Sequence, residues 1–134
     1  MSACCGSEPI DDDEVLFRRF PEDWSEPGGA IHPSHLAFSP SSRDVTGLSL
    51  SRAKYVTPED AGRGPRADKK YYVAVLRAGD LRQKGIKVIP SPSKRNRGHC
   101  EIPILNYATR CDDHSKQMEV LLAGESCLQV LGPF

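Results

Sequence analysis

The chain has 134 residues, 38% of them hydrophobic and 27% charged, with 18 basic and 18 acidic side chains and a formal net charge of zero. This composition fits one globular domain, long enough to bury most of the surface its unfolded form would expose. It argues against a disordered polyelectrolyte, a nucleic-acid coat and a polybasic membrane binder, and no apolar run is long enough to span a bilayer.

Residues 1–13 are small, polar or acidic, ending in Asp11-Asp12-Asp13, and read as a disordered acidic tail ahead of a single domain over 14–134. Val15-Leu16-Phe17-Arg18-Arg19-Phe20 is the first predicted strand, stopped by Pro21. Two adjacent arginines inside it are unusual. Whichever face turns inward, one guanidinium shares it with apolar side chains and must be paired, snorkel to water or face a cavity. Residues 21–40 hold four prolines and two adjacent glycines and form a long irregular connection, with Trp24 expected to plug the core edge.

Thr46-Gly47-Leu48-Ser49-Leu50-Ser51 alternates, so the leucines take one face of a strand and the serines the other. Thr57-Pro58-Glu59-Asp60 opens a short helix, with Thr at the N-cap and Pro at the first helical position. A flexible basic link over 64–70 leads to Tyr71-Tyr72-Val73-Ala74-Val75-Leu76. That segment is apolar on both faces and is the predicted central strand. One or two helical turns from Gly79 to Lys84, closed by Gly85, precede a strand at Ile86-Lys87-Val88-Ile89.

The segment from Pro90 to Gly98 is a loop with three cations, and His99 to Leu105 is the next strand, which Pro103 restricts to an edge or a bulge. Asp112 or Asp113 caps a helix reaching Ala123, with Met118, Leu121 and Leu122 as its apolar stripe and Gly124 closing it. Ser126 to Leu131 completes the chain as a strand. The expected fold is α+β: a mixed or antiparallel sheet of five or six strands, one main helix and one or two short helical turns.

Lys94, Arg95 and Arg97, with Asn96 and Gly98 among them, form a loop suited to phosphate: guanidinium forks, and a glycine that lets backbone N–H groups approach. No aromatic residue is interleaved with these cations, so nucleic acid is not the expected partner. Two residues apart on a strand, His99 and Glu101 share a face and are candidates for proton transfer. Cys100 lies between them and points the other way, which excludes a cysteine–histidine dyad with His99.

His32 and His35 are spaced to ligate a metal from one turn. No paired-cysteine or His-Glu-x-x-His spacing accompanies them, and no metal is expected. Cys100, Cys111 and Cys127 fall where a buried small residue would suit and read as reduced thiols.

Three short patterns stand in a suggestive order: Arg18 or Arg19 in the first strand, then Ser49-Leu50-Ser51, then Gln117-Met118-Glu119. This order resembles that of ADP-ribosyltransferases. The resemblance implies that the arginine and serines hold NAD and that Glu119 stabilises the oxocarbenium-like ribose as nicotinamide leaves. NAD is the cofactor under that reading alone.

The leading expectation is a small cytoplasmic domain that binds an anionic or phosphate-bearing ligand or partner, without a membrane, at the basic 93–99 loop. Arg18, Arg19, Ser49 and Ser51 join Lys94, Arg95 and Arg97 as candidate ligand-binding residues, and His99, Glu101 and Glu119 are the candidate catalytic ones. The alternatives are the NAD-dependent transferase and a protein-interaction module without catalysis.

Overall fold

The computed structural model describes residues 6–26, 28 and 31–134. In chain order the elements are β1 (Val15–Pro21), 3-10 turns at Glu22–Trp24 and His35–Phe38, β2 (Leu48–Arg52), α1 (Pro58–Gly62), β3 (Tyr71–Arg77) and α2 (Ala78–Gln83). They continue with β4 (Ile89–Pro90), β5 (His99–Ile102), a 3-10 turn at Tyr107–Thr109, α3 (Asp113–Leu121), a wider turn over Leu122–Ser126 and β6 (Gln129–Leu131). The strands form one sheet in the order β4-β5-β2-β1-β3-β6, and every neighbouring pair is antiparallel. The fold is α+β, with α3 as its main helix.

Register decides what each face carries, because residues opposed across an antiparallel pair project to the same side. Leu16 opposes Leu76, Phe20 opposes Tyr72, Leu50 opposes Cys100 and Leu48 opposes Ile102. All eight belong to the main core, together with Phe38, Leu81, Ile86, Leu105, Met118 and Leu122 from the covering segments. On the opposite face Phe17 meets Ser51 and Val75, Ser51 meets His99, and Ser49 meets Glu101. Here Phe17, Val73 and Val75 make a small second cluster with Val56 and Ala61 beneath α1. Ser49, Ser51, His99 and Glu101 make the β2–β5 part of that face polar. β3 lies between these two layers and is buried from Tyr71 through Leu76, as its unbroken apolar run requires.

Local chemistry sets the connections. The Thr57 hydroxyl accepts the Asp60 N–H to start α1. Gly85, at φ +78°, ends α2: its own N–H donates to the Arg82 carbonyl and that of Ile86 to the Leu81 carbonyl. That pair of bonds needs a left-handed residue at the helix end, which glycine supplies without steric cost. Trp24 is half-buried and packs on the core edge.

Several expectations change. Residues 6–13, assigned to a disordered tail, run along the sheet end: Ile10 is 3% exposed, and Gly79 N–H donates to the Asp12 carbonyl. Their anchor is Arg52, 0% exposed, whose guanidinium is forked onto the Glu14 carboxylate (2.8 and 2.7 Å) and reaches the carbonyls of Gly6, Glu8 and Pro9. A buried guanidinium needs this many acceptors.

The predicted strand at residues 86–89 pairs only at Ile89–Pro90, although Ile86 and Val88 are buried. β5 is interior rather than an edge, because its pairing stops at Ile102, one residue before Pro103. A turn there, closed by the Leu105 N–H on the Ile102 carbonyl, puts Leu105 into the core in place of Ile104. Main-helix geometry gives way at Leu122 to the wider turn, which carries the chain past Gly124 to Ser126. Cys111 is exposed and Cys127 half-buried, so of these three only Cys100 is a core thiol.

Candidate anion-binding groove

Three adjoining cavities cross the polar face of the sheet. The central one, about 140 Å³, is lined by Phe17, Arg18, Arg19, Ser49, Ser51 and His99, among others. On one side a cavity of about 450 Å³ shares Arg18, Arg19 and Ser49 with it and adds Trp24, Tyr71, Arg43, Asp44 and Lys69. On the other side a cavity of about 620 Å³ shares Arg19 and Ser51 and adds Lys94, Arg95, Asn96, Arg97 and Arg63. Arg19 borders all three. The groove thus joins first-strand arginines, the two serines, His99 and the basic loop, which are widely separated in sequence.

The two arginines divide between the faces. Arg18 lies on the core face opposite Ala74 and turns its guanidinium sideways, donating through Nε to the Ala37 carbonyl (2.7 Å) and through Nη1 to the Ser49 carbonyl (3.0 Å). Burial pulls its pKa down to about 10, with Asp44 opposing that fall and Arg19 adding to it. It remains a cation at neutral pH. Arg19 shares the groove face with Phe17, sits over the Tyr71 ring at 5.6 Å from its centre and donates to the Arg63 carbonyl.

The basic loop is fastened at its centre. Asn96 donates from its side-chain amide to the Ser51 hydroxyl (3.0 Å) and accepts the Gly98 N–H (2.9 Å), and its backbone N–H donates to the Ser93 hydroxyl. A Cβ at Gly98 would lie 2.8 Å from the Tyr55 Cβ, so the loop end needs a residue without a side chain. Lys94, Arg95 and Arg97 themselves are exposed and make no ion pair among the described residues. Some cations are neutralised in place, as in Arg82–Asp12 and Lys84–Asp80 outside the groove and Lys69–Asp23 at its edge, whereas Arg43, Lys70, Lys87, Arg110 and Lys116, like the loop cations, make no ion pair among the described residues.

His99 is held at both ring nitrogens. Nδ1 lies 2.9 Å from the Ser91 carbonyl oxygen and Nε2 lies 3.0 Å from the Ser49 hydroxyl. That hydroxyl donates its proton to Asp44 Oδ1 (3.0 Å), and Asp44, 4% exposed, takes further hydrogen bonds from the Ser41 N–H and hydroxyl. Asp44 was not among the sequence candidates. A lone aspartate in a polar loop carries no spacing signal, and only the fold brings it under β2.

Two candidates do not join the groove. Glu101 follows the expected alternation, but it is 7% exposed, accepts the Thr46 hydroxyl (2.8 Å) and makes no hydrogen bond with His99. The hydrogen-bond partners of His99 are the Ser49 hydroxyl and the Ser91 carbonyl. Glu119 sits on α3, 0% exposed, and lines none of the three cavities. Its carboxylate oxygens have no hydrogen-bond partner, and His35 Nδ1 lies 3.6 Å from Oε1. The arginine and serine parts of the transferase-like pattern therefore meet, and the glutamate lies on the other side of the His35–Phe38 turn's packing.

His32 bonds the Ala123 carbonyl through Nε2, and no group of three or more His, Cys, Asp or Glu side chains is placed to hold a metal among the described residues. No described helix is long and apolar enough to cross a membrane. No protein-family model, curated protein or solved structure matches the chain.

Proposed function

We propose that the chain binds an anionic, phosphate-bearing ligand in the groove formed by Arg18, Arg19, Ser49, Ser51, His99 and the loop of Lys94, Arg95 and Arg97. The observation that carries this reading is the joining of three cavities along Arg19, with the unpaired loop cations at one end and the half-buried Arg18 at the centre. Unpaired cations facing a concave surface leave a local positive field that a neutral total charge does not cancel. Arginine forks and the Ser51 and Asn96 donors supply geometry as well as charge for phosphate oxygens.

The test is calorimetric titration with inorganic pyrophosphate at 50 and 300 mM salt. Binding is expected at low salt and weakening at high salt. The double charge reversal Arg95→Glu/Arg97→Glu is expected to reduce affinity at least tenfold with the fold intact. Undiminished binding in that variant would falsify the assignment. The NAD-cleaving reading draws on the same arginines and serines, but Gln117–Glu119 brings no carboxylate to this groove, so nothing in the geometry favours it over simple anion binding.

A further inference from the structure

We propose that the phosphate-bearing ligand of the groove is a nucleotide. Its aromatic base lies in the cavity of about 450 Å³ beside Trp24, its sugar across Ser49 and Ser51, and its phosphates at the basic loop. The inference rests on the anion-site reading for the place of the phosphates; the place of the base stands on separate observations.

Three of them carry it. First, the basic loop has no aromatic residue, but the fold brings two to the opposite end of the groove. Trp24 and Tyr71 line the 450 Å³ cavity, with Pro21 and Pro65 extending its apolar wall. The two rings are not equivalent. Arg19 lies over the Tyr71 ring and Gly64 presses against it, which makes Tyr71 a wall. Trp24 is half-buried: it packs on the core edge and also borders the cavity, so it is the ring on which a ligand can stack. Charge alone gains nothing from such a lining, whereas a flat ring does, because stacking takes apolar surface of both partners out of water.

Second, the same cavity holds a cation that nothing neutralises. Arg43 is exposed, borders the cavity and makes no ion pair among the described residues. The carboxylate next to it in sequence, Asp44, is turned to the N–H groups and hydroxyls of Ser41 and Ser49 instead. A planar guanidinium stacks on a base as an aromatic side chain does.

Third, the chemistry changes along the groove in a fixed order. Ser49 borders the aromatic and central cavities, and Ser51 borders the central and cationic ones. Two residues along a strand span about 7 Å, so the ends of the groove are joined by a short hydroxyl-bearing stretch. The Ser51 hydroxyl accepts the Asn96 amide and has no acceptor for its own proton among the described residues, which leaves it a donor for a sugar or phosphate oxygen. Aromatic, hydroxylic and cationic walls follow the order base, sugar and phosphate. A bare polyphosphate uses one end of this groove only.

The test is calorimetric titration of the full chain with ADP, GDP, UDP and pyrophosphate, alongside the emission of Trp24, the single tryptophan of the chain. At least one nucleotide is expected to bind about tenfold more tightly than pyrophosphate, the scale of one base–aromatic stack, and to quench Trp24. Trp24→Leu is expected to remove that advantage and to leave pyrophosphate binding as it was. Arg43→Gln changes an exposed side chain and is expected to weaken nucleotide binding several-fold, so a poorly folded Trp24→Leu protein does not blunt the test. Three nucleotides no tighter than pyrophosphate, unchanged Trp24 emission on nucleotide binding, or an Arg43→Gln protein that binds nucleotide as the parent does overturns the proposal. Pyrophosphate binding with no gain from any nucleoside sinks the base cavity and spares the anion site. Tight nucleotide binding that quenches Trp24 and is not weakened by Arg95→Glu/Arg97→Glu does the reverse.

Discussion

The side-chain amide of Asn96 donates to the Ser51 hydroxyl across 3.0 Å, and this bond ties the basic loop to the face of β2. The same side chain accepts the Gly98 N–H, so it fixes both the reach and the exit of the loop. Loop cations held this way need not be ordered by the ligand, which keeps the entropic cost of binding low. Asn96→Ala is expected to weaken pyrophosphate binding several-fold. Global stability should fall by only about 1–2 kcal/mol, the worth of one or two hydrogen bonds. Parallel calorimetry and urea unfolding separate the two effects, and an unaltered affinity contradicts the positioning role.

Glu119 is a stability liability rather than a groove component. Burial raises its carboxyl pKa, while Lys116, His35 and Ser39 act in the opposite direction without overcoming it. A carboxyl whose folded pKa lies above its unfolded value favours the native state below the unfolded value. That advantage is lost as pH climbs through the folded value. Glu119→Gln is therefore expected to be more stable than the parent at pH 7, with the gap shrinking towards pH 4. Thermal unfolding of both proteins between pH 4 and 8 checks it, and a parent as stable as the variant at pH 7 rules it out.

Arg52 fastens the N-terminal segment. Hydrogen bonds from Lys54 and then Tyr55 pull the Glu8 carboxyl down to about 2. Burial raises Glu14, but the Arg52 fork, the Asp11 backbone and the charges of Arg52 and Lys54 outweigh it and hold it low. Groups depressed in this way stabilise the fold above the usual carboxylate range, and that contribution drains away as pH falls through their folded values. Amide exchange is therefore expected to show the segment from Gly6 to Glu14 losing protection between pH 4.5 and about 2. Arg52→Ala at neutral pH should cost roughly 3–5 kcal/mol, because it strands the Glu14 carboxylate. A loss below about 1 kcal/mol in urea unfolding would show the clasp to be ornamental.

Cysteine reactivity separates core from surface. Burial pushes the Cys100 thiol up to about 12; Arg52 works against the rise, and Glu14 and Glu101 add to it. Cys111 is exposed. Brief iodoacetamide treatment of the native protein at pH 8 is expected to alkylate Cys111 and to leave Cys100 intact until denaturant is added. Early modification of Cys100 contradicts its place between β5 and the core.

Alternation made much of the sheet legible. Leu48 and Leu50 against Ser49 and Ser51, and Cys100 against His99, are read from period two and lie where that period puts them. Strand order was not legible, and the site depends on it. Nothing in His99-Cys100-Glu101 says that β5 pairs with β2 and so sets His99 beside Ser49 rather than leaving it to Glu101. The ordered segment at residues 6–13 was missed for a related reason. It is held through backbone carbonyls, the buried Ile10 and acidic side chains paired with distant groups, Glu8 with Lys54 and Tyr55 and Asp12 with Arg82, and neither the carbonyls nor these pairings leave a trace in composition. Glu119 was read on the correct helix. Which side of that helix turns inward followed from how the His35–Phe38 turn packs, which its residues do not encode locally.

The Ser49–His99 bond joins residues 50 positions apart; Asp44 and Ser91 hold each side chain locally, and only the pairing of β5 with β2 brings the two together. Closing so long a loop is an entropic cost met before any contact rewards it, and chains dominated by such pairings fold slowly. The groove therefore comes into being with the zipping of β5 onto β2 and has no precursor in either half of the chain. Two fragments divided in the link at residues 64–70 carry all of the groove's chemical groups between them, yet apart they have neither the serine–histidine contact nor the continuous positive wall.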